Sequence, residues 1–573
     1  MERALLTSSI MTPKTSEESI QIQSAKNLIS NYKKNKFFEA KKYEQEILTK
    51  SVEFIKKIRT AILSDSNITI CGDYDVDGIC STIMLKEMIE DYAIYLGRND
   101  IKKRIDYHIP SREDGYGLTI EAFRYYQSKG NYVFTLDNGT HKKFLDEVLK
   151  NDSKEKIFIL DHHPNGDMKE YDFVLNPNDG NLIISTGYLL DYVYEILLKM
   201  DKNYGLVSHR DRYADTLALT VVSDMADLNN LRVRNIIKKG LKKIEEKDRY
   251  IYQQLFPTKK VQMTFNKIAF DINPKINSIG RLSSTPKDAV TIMSFKKYSE
   301  NAKSAYSYLN QVNTIRKDAL FAYSQKAIEE VAKYKKEDTK NLIFYYNKDI
   351  PVGLNGLIAQ RLQEIHEVPV MVSSCNLAQG GLVVGSGRGY GIKQILNTIQ
   401  DPSIFNYGGH ELALGFSIGN LESFQKLVSK LNSREIDIKK SYENLTLKDS
   451  LTIGDFIEVS KHLSKECELI PFQDKIFTKL KNIEIGISRV FANNFCQMEI
   501  KDKTNSEKIT YFTKHTSALE AIKNPNNIQI ALYTEFNENR KLQDYSGDIL
   551  VEKKIELSNK DLNISIDELT MTR

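Results

Sequence analysis

From Ile68 onward, short apolar runs alternate with mixed stretches. NITIC (67–71), IDYHI (105–109), YVFTL (132–136) and KIFIL (156–160) read as strands. Between them, helices are expected from Ser81 to about Tyr95 and near Thr119 to Ser128. Strand, helix, strand in that order predicts a parallel α/β sheet, whose functional residues gather at the carboxyl ends of the strands. A fourth apolar run, LALTVVSDMADL (217–228), is read as a further strand end of the same sheet.

The flanking texture differs. Residues 1–66 read as a polar tail and then a helix over Tyr43–Leu63, with Ile47, Val52, Ile55, Ile58 and Ile62 at helical spacing. Residues 297–337 read as a long helical connector, with Ala305, Leu309, Val312, Ile315, Leu320 and Ala327 on one rough face. A second α/β pattern begins at NLIFYY (341–346) and runs through VPVMVSS and GLVVGSG to about Leu431. Ser433 to Gly454 is polar and charged, as a linker would be. From Ile476 to Leu557 apolar and polar residues alternate, which predicts an antiparallel β module of about five or six strands. The expected division is 1–66 tail and helix, 67–230 first α/β domain, 231–338 helical connector, 339–434 second α/β domain, and 435–573 linker and β domain.

Composition adds limits. A chain of 573 residues exceeds one compact core and suggests roughly three to four domains. With 41% hydrophobic and 27% charged residues it is an ordinary globular chain, not a disordered one. The net charge of +5 is too small to mark a nucleic-acid binder by itself. Cys71, Cys80, Cys375, Cys467 and Cys496 form no CxxC pair, so neither a disulfide framework nor a zinc ribbon is indicated, and free thiols fit a reducing compartment. The start MERALLTSSIMTPKTSEES lacks the apolar core of a signal peptide, and no stretch approaches the roughly 18 apolar residues of a membrane span. A cytoplasmic protein is expected.

The chemistry concentrates in CGDYDVDGICST (71–82). Asp73, Asp75 and Asp77 follow a strand at alternate positions, so in extended chain they would point the same way. Their repulsion would be relieved by a cation that accepts hard oxygen ligands. Gly78 would permit a tight turn, and Ser81 with Thr82 would cap the following helix. A calcium loop would need a bidentate Glu at its twelfth position, where this chain has Met84. Three further strand ends carry acids: Asp137 in YVFTLDNG, Asp161 with His162 and His163 in KIFILDHH, and Asp224. Singly, such an Asp is more often a turn or cap residue. Together they indicate a metal site, and carboxylates with one or two imidazoles suit Mn²⁺ or Mg²⁺ better than structural zinc. Two ions sharing a bridging carboxylate could activate water for attack on phosphorus.

GDYDVDG, LDNG, LDHH and VVSDMADL resemble, in order, the four motifs of the DHH phosphoesterase superfamily. DYHIPSREDGYGLT (106–119), VLNPND (174–179), INSIGRL (276–282) and YGGHELALGFSI (407–418) are similar to segments of its RecJ-like branch, so the likeness covers roughly residues 65 to 420. The resemblance implies a DHH parallel-sheet domain and a smaller α/β DHH-associated domain joined by a long helix, followed by an OB-like β module. It implies Asp75, Asp77, Asp137, His162 and Asp224 as metal ligands, with Asp137 bridging and Asp73 in support. Asp161 would orient a histidine, and His163 would face the scissile phosphate. Gly408, Gly409 and His410 match the GGH motif that helps hold a nucleic-acid end. Adjacent glycines let backbone amides approach a phosphate, and Arg281 and Arg388 are candidate clamps, although a lone Arg is as often a solvated surface charge. Two departures stand out. Cys71 occupies a position where many superfamily members have a histidine, and DIPVGLNGLIAQR (349–361) lacks the family's His-Glu-Gly. With no Trp, base stacking falls to the 31 Tyr and 24 Phe, among them Phe491, Phe495, Tyr511 and Phe512 of the β module.

The activity this implies is a two-metal, single-stranded-DNA-specific exonuclease using Mn²⁺ or Mg²⁺. It would release mononucleotides 5′ to 3′ in DNA repair or recombination. It would act as a monomer without a membrane partner, alongside a single-strand-binding protein or helicase. One rival is a DHH phosphodiesterase for short oligoribonucleotides or cyclic dinucleotides, which generally has only the two α/β domains. A second is a non-catalytic replication scaffold, which would be expected to lose the carboxylates this chain keeps.

Overall fold

The computed structural model describes residues 44–568 except 113, 151–153, 165–169, 178–183, 208–209, 229, 259–260, 283–284, 378–379, 398–404, 410–411, 435–444, 447–449, 468–469, 471–475, 492–494, 524, 526–527, 532–548 and 554–565. It divides into two compact units, one of Ala40–Asp227 with Leu231–Ser441 and another built around Tyr442–Arg573.

In the larger unit, β1 (Ile68–Gly72), β2 (Ile105–His108), β3 (Tyr132–Leu136), β4 (Ile157–Leu160) and β5 (Val174–Leu175) form a parallel sheet in the order β2-β1-β3-β4-β5. β1, β3 and β4 are buried along their whole length, which is why they read as continuous apolar runs. Helix α1 (Glu44–Leu63) helps close this core: Phe54 stacks on Phe158 with ring centroids 4.7 Å apart. The strand order reverses between β1 and β3, and the crevice at such a switch point is where α/β sheets bind ligands.

Several expectations need correction at the end of β1. Helix α2 runs from Val76 to Tyr95, starting five residues before Ser81, with Asp75 as its N-cap accepting from Gly78 N (3.1 Å). Ser81 and Thr82 therefore lie inside the helix and donate back to Asp77 Oδ1 (3.3 Å) and Gly78 O (2.8 Å). The three aspartates are thus not an extended run. Asp73 follows the strand, Asp75 caps the helix and Asp77 sits in its first turn. Gly78 is needed for close approach rather than for a turn, since a Cβ there would lie 2.4 Å from Asp73 N.

The fourth apolar run is a helix, not a strand: α6 (Ala214–Ser223) ends with Asp224 as its C-cap. α3 (Ile120–Ser128), α4 (Lys142–Lys150), α5 (Thr186–Met200) and α7 (Leu231–Glu245) are further helices of this unit. Residues 214–222 are buried throughout, so a run with no polar face hid its period. The fully buried Arg249 binds α6 to α2 through Asp215 Oδ2 (2.5 Å) and Glu87 Oε1 (3.3 Å). α7 packs so tightly on α6 that a Cβ on Gly240 would lie 2.1 Å from the Cβ of Ala218 and 2.6 Å from Ala214 O. Gly240→Ala is therefore expected to lower stability by about 1–3 kcal/mol, read as a drop in denaturation midpoint.

Helix α8 (Asn273–Leu282) leads on to α9 (Glu300–Val331), the expected long connector, 32 residues in one piece. The buried positions of α9 include Leu309, Val312, Leu320 and Ala327 as expected, but Ile315 is exposed and Arg316 is buried in its stead. Beyond it lies a mixed sheet in the order β6-β7-β8-β10-β9: β6 (Ile343–Tyr346), β7 (Val370–Asn376), β8 (Leu382–Arg388), β9 (Phe405–Gly409) and β10 (Ala413–Ile418). Only β6 and β7 pair in parallel. One apolar cluster joins Met371, Leu414 and Phe416 to Phe424 of α11 (Leu421–Asn432). A second joins Val370 and Val372 to Ile358 and Leu362 of α10 (Asn355–His366) and to Leu320 of α9.

The C-terminal unit contains helix α12 (Ile453–Cys467) and two sheets. One is five-stranded: β11 (Leu445–Thr446), β12 (Ile476–Lys479), β16 (Ile528–Ala531), β17 (Ile549–Lys553) and β18 (Ile566–Glu568). The other is three-stranded: β13 (Ile483–Val490), β14 (Phe495–Asp502) and β15 (Lys508–Lys514). Pairing is antiparallel as expected except between β11 and β12. Tyr511 is fully buried and packs on Phe456, so it serves the core rather than a stacking platform. The side chains of Phe495 and Phe512 lie outside the described residues. No helix among the described residues is long and apolar enough to cross a membrane.

Candidate metal centre

The acidic residues meet at the switch point. Asp73 leaves β1, Asp137 leaves β3 with its amide donating to Leu160 O (3.0 Å), and Asp161 leaves β4 with its amide donating to Leu175 O (3.1 Å). The LDNG segment turns sharply. Asp137 itself has φ 66° and Gly139 φ 106°, conformations that Asp tolerates and Gly prefers. Asn138 ties this turn to β1 by donating to Cys71 O (3.2 Å).

Ligand atoms of Asp77, Asp137, His162 and Asp224 lie within 4.8 Å of one another, and so do those of Asp73, Asp75 and Asp137. Asp137 belongs to both groups. His162 Nε2 lies 2.9 Å from Asp224 Oδ2, 3.1 Å from Asp137 Oδ1 and 3.7 Å from Asp77 Oδ2. Asp77 also accepts from the amides of Thr186 (2.6 Å) and Gly187 (3.0 Å), the first residues of α5. Thr186 Oγ1 donates to Asp137 Oδ1 (3.3 Å). Asp73 Oδ1 is buried with no hydrogen-bond partner. An acceptor oxygen left over in a cluster of carboxylates and one imidazole fits a divalent cation that takes oxygen ligands.

The electrostatics agree. Burial raises the pKa of Asp73, Asp77 and Asp137 well above the carboxylate range, and mutual repulsion adds to it: Asp75 acts on Asp73, Asp224 on Asp77, and Asp77 on Asp137. Burial opposes charge on His162, but its bonds to Asp137 and Asp224 raise its pKa well above the usual imidazole value. Burial also opposes charge on Asp161, yet the His163 imidazole and the Thr140 hydroxyl hold its carboxyl below the usual range. Asp161 Oδ1 is 2.8 Å from His163 Nδ1, and the His163 side chain is 29% exposed against 6% for His162. Of the two imidazoles, His163 is thus the one open to an incoming molecule.

Sequence reasoning missed several participants. Arg112 lies 3.9 Å over the Tyr74 ring, and its Nε donates to Gly280 O (3.0 Å). Arg281 donates to Gly353 O (2.7 Å) and Arg388 to Gly387 O (2.7 Å). Burial and the mutual repulsion of these guanidiniums push Arg281 down to about 9 and Arg388 to about 10, values that leave both charged at neutral pH. Arg281 and Arg388 are thus brought together, with Arg112 as an unforeseen third. Tyr116 donates to Asp137 O (2.6 Å) and lies 3.0 Å from His163 Nδ1. Arg112 and Tyr116 both stand in DYHIPSREDGYGLT, but nothing in their spacing marks a role. Gly408 and Gly409 lie on the edge strand β9, where Gly409 has φ 136°. Gly409 pairs with Leu414, and Ala413 pairs with Arg388, so the glycine and the arginine share one end of the second sheet. His410 lies outside the described residues. Cys71 packs into an apolar cluster with Leu118, Phe123 and Val133.

Residues 67–221 match the family model described as DHH family, N-terminal domain. The single-stranded-DNA-specific exonuclease RecJ of Bacillus subtilis (strain 168) is 22% identical over 395 residues, 66% of this chain and 47% of that protein. RecJ of Thermus thermophilus, solved in complex with Mn²⁺, superposes with a TM-score of 0.65 at 19% identity, covering 89% of this chain and 72% of that one. Residues 67–221 thus match a DHH-family domain, and the chain around them is similar to RecJ proteins. A phage-derived relative, the putative SPbeta prophage-derived single-strand DNA-specific exonuclease YorK of the same Bacillus strain, is 26% identical over 422 residues, 69% of each chain. The chain spans about half the length of the Bacillus RecJ that it matches.

Proposed function

We propose that the chain is a metal-dependent exonuclease that hydrolyses single-stranded DNA 5′ to 3′ and releases mononucleotides. The observation that carries this reading is the position of Asp137 in both ligand groups, the arrangement that a pair of divalent cations requires. Relatives named as single-strand-specific exonucleases, and one solved with Mn²⁺, support it.

Asp77, Asp137, His162 and Asp224 would hold one cation, and Asp73, Asp75 and Asp137 the other. When bound, Mn²⁺ or Mg²⁺ supplies charge neutralisation at the phosphodiester and an activated water nucleophile. The chain's own residues do the rest. Among the described residues, Arg112, Arg281 and Arg388 present guanidiniums whose hydrogen bonds go only to backbone carbonyls, leaving donors for the phosphates of the strand. His163, oriented by Asp161 and beside the Tyr116 hydroxyl, donates a proton or hydrogen bond to the reacting phosphate. A cytoplasmic setting belongs to this reading, supported by the free Cys71, Cys80, Cys375 and Cys496.

The test is incubation of 5′- and 3′-labelled single-stranded DNA, RNA and duplex with Mn²⁺ or Mg²⁺, with a chelator control. Metal-dependent release of labelled mononucleotide from the 5′ end of single-stranded DNA is the expected result. Cleavage confined to short oligoribonucleotides or cyclic dinucleotides would overturn it in favour of a small-substrate phosphodiesterase.

A further inference from the structure

Asp73 and Asp75 sit on a loop with no regular structure of its own, between β1 and α2. That loop is held from outside by α8. Asn277 Oδ1 accepts from Val76 N (3.1 Å), across 201 residues of chain. This amide is the first of α2, directly after the N-cap Asp75, and one of those a helix cannot satisfy by itself. Three residues on, Gly280 is pressed against the same loop: a Cβ there would lie 1.9 Å from Tyr74 O. Arg112 closes the contact, bonding Gly280 O while lying over the Tyr74 ring. The other ligand group is supported differently, with Asp77 on the amides of Thr186 and Gly187 and Asp137 on the Thr186 hydroxyl.

We propose that Asn277 is a positioning residue for the Asp73–Asp75–Asp137 cation group, with Gly280 as the close contact that brings it within reach. Asn277 touches no cation. By fixing Val76 it fixes the cap geometry of Asp75 (φ −99°, ψ −176°), and through the Tyr74 contact the direction of Asp73. The group of Asp77, His162 and Asp224 does not depend on it. Arg281 follows Gly280 on the same helix, so the element that carries a phosphate clamp also sets one cation group. The inference rests on the reading that these carboxylates hold divalent cations.

The experiment is calorimetric titration of the metal-free full-length protein with Mn²⁺. The wild-type chain is expected to show two binding events. Asn277→Ala should weaken one of them by about 10–100-fold and leave the other within about threefold, the size of effect seen when a supporting residue behind a ligand is lost. Asn277→Asp keeps the acceptor oxygen and should stay near wild type. Gly280→Ala pushes α8 off Tyr74 and should weaken the same event as Asn277→Ala, which keeps the test open should the latter fold poorly. In cleavage assays the Mn²⁺ concentration for half-maximal rate should rise in Asn277→Ala while the KM for the strand stays put. Equal weakening of both events, or identical behaviour of the Ala and Asp variants, overturns the proposal. A wild-type chain that binds no Mn²⁺ at all overturns the cation reading itself.

Discussion

Asp137→Asn is expected to cut cleavage of single-stranded DNA by about three orders of magnitude or more, since loss of one preorganised electrostatic donor in other enzymes already costs about 10²–10³. The loss exceeds that of a single contact because Asp137 serves both ligand groups, so one change removes a negative oxygen from each. Asn is the right replacement. It tolerates the left-handed backbone that Asp137 adopts at φ 66°, and it preserves the carbonyl that Tyr116 binds. The fold should therefore survive, with an unchanged circular dichroism spectrum and Mn²⁺ binding lost by calorimetry. An Asp137→Asn variant that still cleaves at the wild-type rate would remove the basis for assigning these carboxylates to metal.

Metal removal should make stability depend on pH with a definite sign. Asp73, Asp75, Asp77 and Asp137 have raised pKa values in the folded chain, because of burial and repulsion. Folding then takes up protons, so their contribution is greatest below the ordinary carboxylate value of about 4 and is lost as pH rises through the raised values. His162 acts in the same direction: its raised pKa gives stability below about 6.5 that disappears at higher pH. Asp161 and Asp224, both lowered, act oppositely, but only as pH falls below the carboxylate range. Above the ordinary imidazole value of about 6.5 the chelator-treated protein should thus melt at progressively lower temperature as pH rises. Saturating Mn²⁺ should flatten this trend and add on the order of 10 °C at the alkaline end, measured by calorimetric melting. A chelator-treated protein that becomes more stable over that range would contradict the buried-carboxylate account.

The first sheet is legible in the sequence because β1, β3 and β4 are buried on both faces and bounded by turn residues. The acids at their ends are legible for the same reason: an Asp directly after an apolar strand has few places to go. What the sequence conceals lies in elements without a polar face or without a local pattern. Residues 214–222 are buried throughout, so the run before Asp224 shows no helical period and reads as a strand. Ser81 and Thr82 look like caps and draw the expected start of α2 too late, whereas Asp75 caps the helix well before them. Arg112, Thr186, Gly187 and Asn277 come from distant segments that only tertiary folding assembles. No spacing rule links them.

Helix α9 carries a consequence for how the chain can vary. Its 32 residues span roughly 48 Å as one rigid rod between the elements that bear Arg281 and Arg388. Inserting or deleting one residue in such a rod shifts the chain beyond it by only about 1.5 Å but rotates it by about 100°. The second sheet would then swing its arginine away from the first. Substitutions along the exposed side of this helix are therefore tolerable, while changes in its length are not.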